Sequence, residues 1–161
     1  MNENKEKALE AFWPRLARVA AAYEVMPQLQ HELVQEMALA IWQSLNNFRG
    51  ESSLDTFCYR IAHNVAVGHV KKQVKQVKTS NEDYELPATA SLEQRASQNQ
   101  QLDHLMNAIR LLPLIQRQII TLYLDGVKQQ DIAEILGMSE NNIAVRVNRA
   151  KQSLAQLMSN D

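Results

Sequence analysis

The chain has 161 residues, a 45% apolar fraction, and 17 basic against 18 acidic side chains. That is the balance of a globular protein, with room for one domain or two small ones near the lower size limit for a self-sufficient core. Cys58 is the only cysteine, which excludes an intramolecular disulfide, and no apolar run approaches the roughly 18 residues of a membrane span.

The N-terminus, MNENKEK, lacks the apolar stretch of a signal peptide, so a reducing cytoplasm and no membrane insertion are expected. Ala, Leu, Gln, Glu and Met abound while β-branched clusters are few, which favours helix. The charge is segregated. Between Thr56 and Asn81 there is no acid, yet Arg60, Lys71, Lys72, Lys75 and Lys78 lie there with His63 and His69. From Asn141 to Asn160 there is again no acid, with Arg146, Arg149 and Lys151 present. Such a chain suits one basic and one acidic partner surface.

In chain order, Leu9, Phe12, Trp13, Leu16, Val19, Ala20 and Tyr23 follow helical spacing, with Pro14 at a kink or in a first turn. Pro27 breaks the pattern. A second helix runs from about Leu29 to Leu45, with Leu33, Val34, Met37, Ile41, Trp42 and Leu45 inward, until Asn46, Asn47 and Gly50 end it. Its outward Glu32, Gln35 and Glu36 form either a protein-binding face or a plain solvated one. Ser52 followed by Asp55 resembles a capping box opening a third helix, which carries Leu54, Phe57, Ile61 and Val65 on one face to about Lys75. Aromatic side chains beside cations stack unpaired bases. Phe57 has core spacing, whereas Phe48 sits in a loop with Asn47, Arg49 and Gly50. A merely solvated basic face is the alternative.

From about Gln76 to Gln101 the pattern dissolves into an acidic linker rich in Ser, Asn, Pro and Ala. Leu102, Leu105, Met106, Ile109 and Leu112 then form a stripe that Pro113 interrupts. Ile119, Ile120 and Tyr123 belong to the next helix, stopped by Gly126. Ile132, Ala133, Ile135 and Leu136 make a short helix, Gly137 and Ser139 a turn with Ser139 as N-cap, and Glu140 to Met158 a last helix burying Ile143, Val147, Ala150, Leu154 and Leu157. Two helices joined by a short turn containing Gly make a helix-turn-helix. With Ile143 inward, Asn141, Ala144, Val145, Asn148 and Gln152 point out, flanked by Arg146 and Arg149. Asn and Gln pair with adenine, small apolar groups pack on thymine methyls, and Arg or Lys takes phosphate or guanine. The predicted fold is all-α: two small helical domains joined by a flexible linker, the second containing the helix-turn-helix.

His31, His63, His69 and His104 are not spaced as metal ligands, and no nucleophile–base pair or phosphate loop stands out, so no metal, cofactor or catalysis is expected. His63 reads as a surface or DNA-side residue, and Cys58 as an inert small hydrophobe.

The stretch HELVQEMALAIWQSLNNFRGESSLDTFCYRIAHNVAVGHVKK resembles the extracytoplasmic-function sigma factors of bacterial RNA polymerase, and the resemblance covers nearly the whole chain. It implies a domain over 1–76 that binds core polymerase and the −10 element, a linker over 77–101, and a −35-binding domain over 102–161. By the same resemblance Glu32, Leu33, Gln35 and Glu36 would contact the polymerase. Phe48 and Asn64 would help form a pocket for a flipped base, on a loop of Arg49, Gly50, Glu51 and Ser52. Arg60, His63, Lys71 and Lys72 would line the single strand. Gln129, Asn141, Asn142, Ala144, Val145, Arg146, Asn148, Arg149 and Lys151 would meet the −35 duplex.

The implied partners are core RNA polymerase, promoter DNA as duplex and as melted strand, and an anti-sigma factor. The chain departs from the family where Thr-Val-Lys/Arg-Ser is usual and Asn142-Ile143-Ala144-Val145 stands, and where Phe57 replaces a frequent Trp. A linker of about 25 residues would let the domains stretch apart or fold against each other. The rivals are a stand-alone helix-turn-helix regulator and a protein-interaction module that binds no DNA.

Overall fold

The computed structural model describes residues 2–80 and 100–159, and these contain seven α-helices and no strand. The linker reading of 77–101 falls largely outside them, though helix continues to Ser80 and resumes at Gln100, past both expected borders.

α1 spans Asn2–Tyr23, α2 Pro27–Ser44 and α3 Leu54–Ser80. They bury Phe12, Leu16, Val19, Leu33, Met37 and Ile41 against Cys58, Ala62 and Ala66. Pro14 lies inside α1, and Trp13, expected on the core stripe, is 40% exposed. A buried acid, Glu24, ties the three helices together. Its carboxylate accepts the Met26 N–H at 2.9 Å where α2 begins, Gln73 Nε2 at 2.6 Å, and a 2.8 Å contact from His69 Nε2, both on α3. Burial alone would raise the Glu24 pKa, but these bonds from His69, Met26 and Gln73 outweigh it and hold the group below its ordinary value.

α3 differs from its sequence pattern in two respects. Its N-cap is Ser53, not Ser52: Ser53 Oγ accepts the Thr56 N–H at 3.1 Å. Its inward face is Cys58, Tyr59, Ala62, His63 and Ala66, whereas Leu54 is exposed and Phe57, Ile61 and Val65 are half-buried. The small residues let α3 approach α1 and α2 closely. A larger-residue stripe one step round the helix carries the stronger periodic signal but faces the rim.

The second half comprises α4 Gln100–Leu111, α5 Leu114–Leu124, α6 Gln129–Leu136 and α7 Glu140–Ser159. Pro113 sits at the N-cap of α5. Gly137 ends α6 at φ +68°, with Met138 N–H reaching Ala133 O at 3.0 Å, a left-handed helix end that L side chains rarely adopt. Ser139 then caps α7 by accepting the Asn142 N–H at 3.2 Å. Leu112, Ile119, Ile120, Leu122, Ile132, Ile143 and Val147 close this core.

The two halves pack against each other along α1 and α3. Asp125, just after α5, accepts Arg18 Nε at 2.5 Å and the Tyr59 hydroxyl. Arg60 donates to the Glu134 carbonyl at 3.0 Å, and Arg110 to the Ala21 carbonyl at 2.8 Å. An apolar cleft of about 380 Å³ remains between α1 and α4–α5, lined by Ala17, Ala21, Leu102, Met106 and Leu124 among others. No helix among the described residues is long and apolar enough to cross a membrane.

His63 corrects its sequence reading: it is 1% exposed, not a surface residue. Its Nδ1 meets Tyr23 Oη at 2.9 Å, while its buried Nε2 has no partner. Burial pushes its pKa down to about 4 from 6.5, so the ring is neutral in the fold. Because the unfolded chain takes up the proton more readily, stability is full above the unfolded value and falls as pH drops from 6.5 towards 4. Denaturant unfolding should lose about 2 kcal/mol from this ring between pH 8 and pH 5, and His63→Gln should flatten that slope.

Candidate nucleic-acid and protein interfaces

Four surfaces collect the residues singled out from sequence. The first is the outer face of α2. Glu32, Gln35 and Glu36 are exposed side by side, but Leu33 is 1% exposed and belongs to the core, so it offers no contact surface. The face gains a residue the sequence reading passed over. Leu39, 57% exposed, lies one helical repeat beyond Glu32 on the same side. Leu39 adds an apolar group to this acidic face. Its signal was legible: Leu39 does not fit the inward register of Leu33, Met37 and Ile41.

The second is the loop between α2 and α3. Phe48 packs on Phe57 with ring centroids 4.8 Å apart, and Gly50 turns the chain at φ +75°. A cleft of about 560 Å³ opens here, lined by Asn47, Phe48, Arg49, Glu51, Ser52, Phe57, Arg60 and Glu134. The fold thus brings Phe48, Arg49, Glu51, Ser52 and Arg60 together, with a tilted aromatic pair at one side and polar groups around it. Asn64 is exposed on α3 but does not line the cleft.

The third is the outer stripe of α3. Arg60, Asn64, Lys71 and Lys75 fall within about 60° of one another at 100° per residue, and no acid interrupts them. Lys71 and Lys72 are exposed. His63 lies about 90° round the helix from the stripe's centre and is buried, so it presents nothing to a strand in this conformation.

The fourth is α7. Asn141, Asn142, Val145, Asn148, Arg149 and Lys151 are exposed and Ala144 and Arg146 half-exposed, in front of buried Ile143, Val147 and Ala150. Asn142 Oδ1 accepts Arg146 Nε at 3.1 Å, and Lys151 Nζ stands 4.3 Å from the centre of the Tyr123 ring. Gln129, exposed, opens α6. Val145 is 49% exposed on this otherwise polar face, as expected of a side chain with no core to serve. Among the described residues no group of His, Cys, Asp and Glu could hold a metal ion. Cys58 is buried, and burial pushes its thiol up to about 12, which removes the thiolate that redox chemistry needs.

Two family models match the chain: Sigma-70 region 2 over residues 9–76 and Sigma-70 region 4 over residues 102–154. The chain is 28% identical over 136 residues to the ECF RNA polymerase sigma-E factor of Haemophilus influenzae, covering 76% of this chain and 71% of that protein. It is 28% identical over 134 residues to the Escherichia coli K12 sigma-E factor, covering 76% and 70%. Its fold is similar to that of the sigma factor RpoE solved with the anti-sigma factor NepR from Bartonella quintana, at TM-score 0.76 and 24% identity over 100% of this chain and 99% of that one. It is also similar to CnrH solved with the cytosolic domain of CnrY, at TM-score 0.72 and 19% identity over 100% and 91%.

Two glycines test how far the turn geometry sets the position of α7. Gly137→Ala places a side chain in the left-handed region and should lower stability by about 1 kcal/mol. Gly68→Ala, mid-helix with open space around it, should be neutral or stabilising by up to about 1 kcal/mol. Thermal melts of the two variants should therefore move apart.

Proposed function

The chain belongs to the extracytoplasmic-function sigma factors of the sigma-70 family, and from that premise we propose that it binds core RNA polymerase, directs it to a promoter class and helps melt the −10 region. The observation that carries the reading is the Phe48–Ser52 cleft, set at the head of an acid-free basic stripe. Opening a duplex means trapping an extruded base. That needs a shaped pocket with a stacking group and hydrogen-bonding edges, and cations to hold the strand on either side. Phe48, Arg49, Gly50, Glu51 and Ser52 supply the pocket. Arg60, Asn64, Lys71 and Lys72 supply the track.

The division of labour follows the two matched regions. Residues 1–76 act as the polymerase- and −10-binding unit, and 102–161 as the −35-binding unit. Glu32, Gln35, Glu36 and Leu39 dock on polymerase. On α7, Asn141, Asn142, Ala144, Val145, Arg146, Asn148, Arg149 and Lys151 face the −35 duplex, with Gln129 on the flanking backbone. The protein is not itself an enzyme: polymerisation chemistry belongs to the polymerase. It works in the cytoplasm, and an anti-sigma factor restrains it, as NepR is bound to the sigma factor RpoE in that structural neighbour. A stand-alone regulator would leave the acidic face of α2 and the cleft without a role.

Gel filtration with core polymerase tests the docking face. The wild-type chain should co-elute, and Glu36→Arg should weaken the complex about tenfold or more by setting a cation on an acidic interface. Failure of the wild type to bind active core, with duplex binding as a dimer, would replace the sigma reading by a regulator. On α7, Ala144→Lys should restore a phosphate contact, tightening −35 duplex binding and steepening the log–log salt slope by about 0.9. No change in either would show that position 144 does not face the backbone.

A further inference from the structure

We infer that Glu24 is a positioning residue for strand binding: by clasping His69 and Gln73 from behind, it holds the lysine-bearing end of α3 in register with the Phe48–Ser52 cleft. This rests on the assignment of α3 to the −10 strand and adds the groups that aim it.

α3 outruns the core that supports it. Its inward face of Cys58, Tyr59, Ala62, His63 and Ala66 stops at Ala66, and none of residues 67–76 is buried. Val67 and Val70 pack only partly against the core. Between them stands Gly68, with nothing within 4 Å of the place where a side chain would begin, and glycine is a weaker helix former than any residue but proline. Lys71 and Lys72 lie beyond it, on an extension that apolar burial holds only loosely.

Glu24 supplies what burial does not. Its side chain is 4% exposed, so the carboxylate is withdrawn from water and depends on its donors. Oε1 takes Gln73 Nε2 at 2.6 Å and His69 Nε2 at 2.8 Å, one turn apart on the extension, and Oε2 takes the Met26 N–H at 2.9 Å. The acid is itself anchored. Its N–H donates to Ala20 O at 2.9 Å at the end of α1, and its carbonyl accepts Gln30 Nε2 at 2.6 Å from α2. The extension is therefore tied to a point that both other helices fix. At 100° per residue, His69 and Gln73 sit about 170° from the middle of the stripe of Arg60, Asn64, Lys71 and Lys75. The latch grips the back of the helix and leaves the front to the strand. Hydrogen bonds set direction as well as distance, which an apolar contact at the same place would not.

Successive phosphates are met by groups at fixed spacing. An α3 end that swings loses the contacts of Lys71 and Lys72 together and leaves the cleft, which precedes Ala66, intact. Each lost contact removes about 0.7 from the log–log salt slope for a single strand.

The test is fluorescence anisotropy of the full chain with a labelled single strand of twelve nucleotides, over a salt series at pH 8. Glu24→Met keeps the length of the side chain and removes both acceptors. His69→Ala with Gln73→Ala cuts the latch from the other side with a residue that favours helix, and serves where Glu24→Met does not fold. Either should make the slope shallower by about 1.4 and weaken binding at low salt about tenfold, and should quicken amide hydrogen exchange over 67–76. Glu24→Gln should keep most of the wild-type slope, because its amide pairs with a turned Gln73 amide. A variant that is merely less stable loses affinity by its unfolded fraction at every salt concentration and keeps the slope. An unchanged slope in the folded latch variants would overturn the inference.

Lys71→Ala separates that result from failure of the strand assignment, and should make the slope shallower by about 0.7. If it does so while the latch variants keep the wild-type slope, α3 is the strand site and Glu24 does not aim it. If Lys71→Ala changes nothing, or the wild type does not bind the strand, the strand assignment of α3 fails and the inference falls with it.

Discussion

One carboxylate sets the terms on which the two halves meet. Asp125 stands where α5 has ended and the chain turns at Gly126, φ +85°. It is held there by backbone geometry rather than by a flexible stem. Its oxygens are shared between a tyrosine buried in the first core and an arginine on that core's surface. Removing an acceptor from a buried hydroxyl costs about 1–3 kcal/mol. The arginine side chain is 56% exposed, so the ion pair itself adds less. The remaining bridges have the same character: Arg110 on the Ala21 carbonyl, and Arg117 5.7 Å from the centre of the Tyr23 ring.

The first domain holds its own shape through its helix ends. Glu24 accepts from the start of α2 and from two side chains of α3, so three helices share one buried acid. Along α3 the contact face is made of Cys58, Ala62 and Ala66, with Tyr59 and His63 at its edge. Small residues bring the axes close. The two rings then fill the corner near α1, where Phe12 meets Tyr59 edge-on at 4.8 Å and Tyr23 meets His63. Tyr59 thus has its ring in the first core and its hydroxyl on the second domain. That single residue links packing in one half to the position of the other.

These links explain what the sequence made legible. Helix periods, proline breaks and the Gly137–Ser139 turn are local, and each depends on residues a few positions apart. They placed all seven helices and the outward face of α7. The inner face of α3 was misplaced because Ala and Cys carry little hydropathy, while Leu54, Phe57, Ile61 and Val65 mark the rim strongly. The shift from Ser52 to Ser53 at the cap is a choice between adjacent hydroxyls that periodicity does not separate. His63 and Leu33 were given contacts from their neighbours in a motif, yet i and i+1 on a helix face 100° apart. The interdomain bridges were not legible at all. Arg18 and Asp125 are 107 positions apart, and nothing local distinguishes either from an ordinary surface charge.

The same reasoning gives a physical meaning to the departures on α7. In the closed chain this helix is free of the first domain, yet its outward face is short of cations. Position 144 holds Ala, Lys151 leans on the Tyr123 ring, and Asn142 holds Arg146 by its Nε. That last contact fixes the Arg146 guanidinium at one nitrogen, and a guanidinium suits guanine or a phosphate. Fewer loose cations mean a weaker sequence-independent grip, since that grip scales with phosphates neutralised. On the proposed assignment of α7 to the −35 duplex, recognition then rests on fixed groups: Arg146 held by Asn142, the amides of Asn141 and Asn148, and the methyls of Val145. A −35 reader of this type binds duplex DNA weakly by itself and well when a second, tethered surface raises its effective concentration. On the proposed function, polymerase-bound −10 contacts provide that surface.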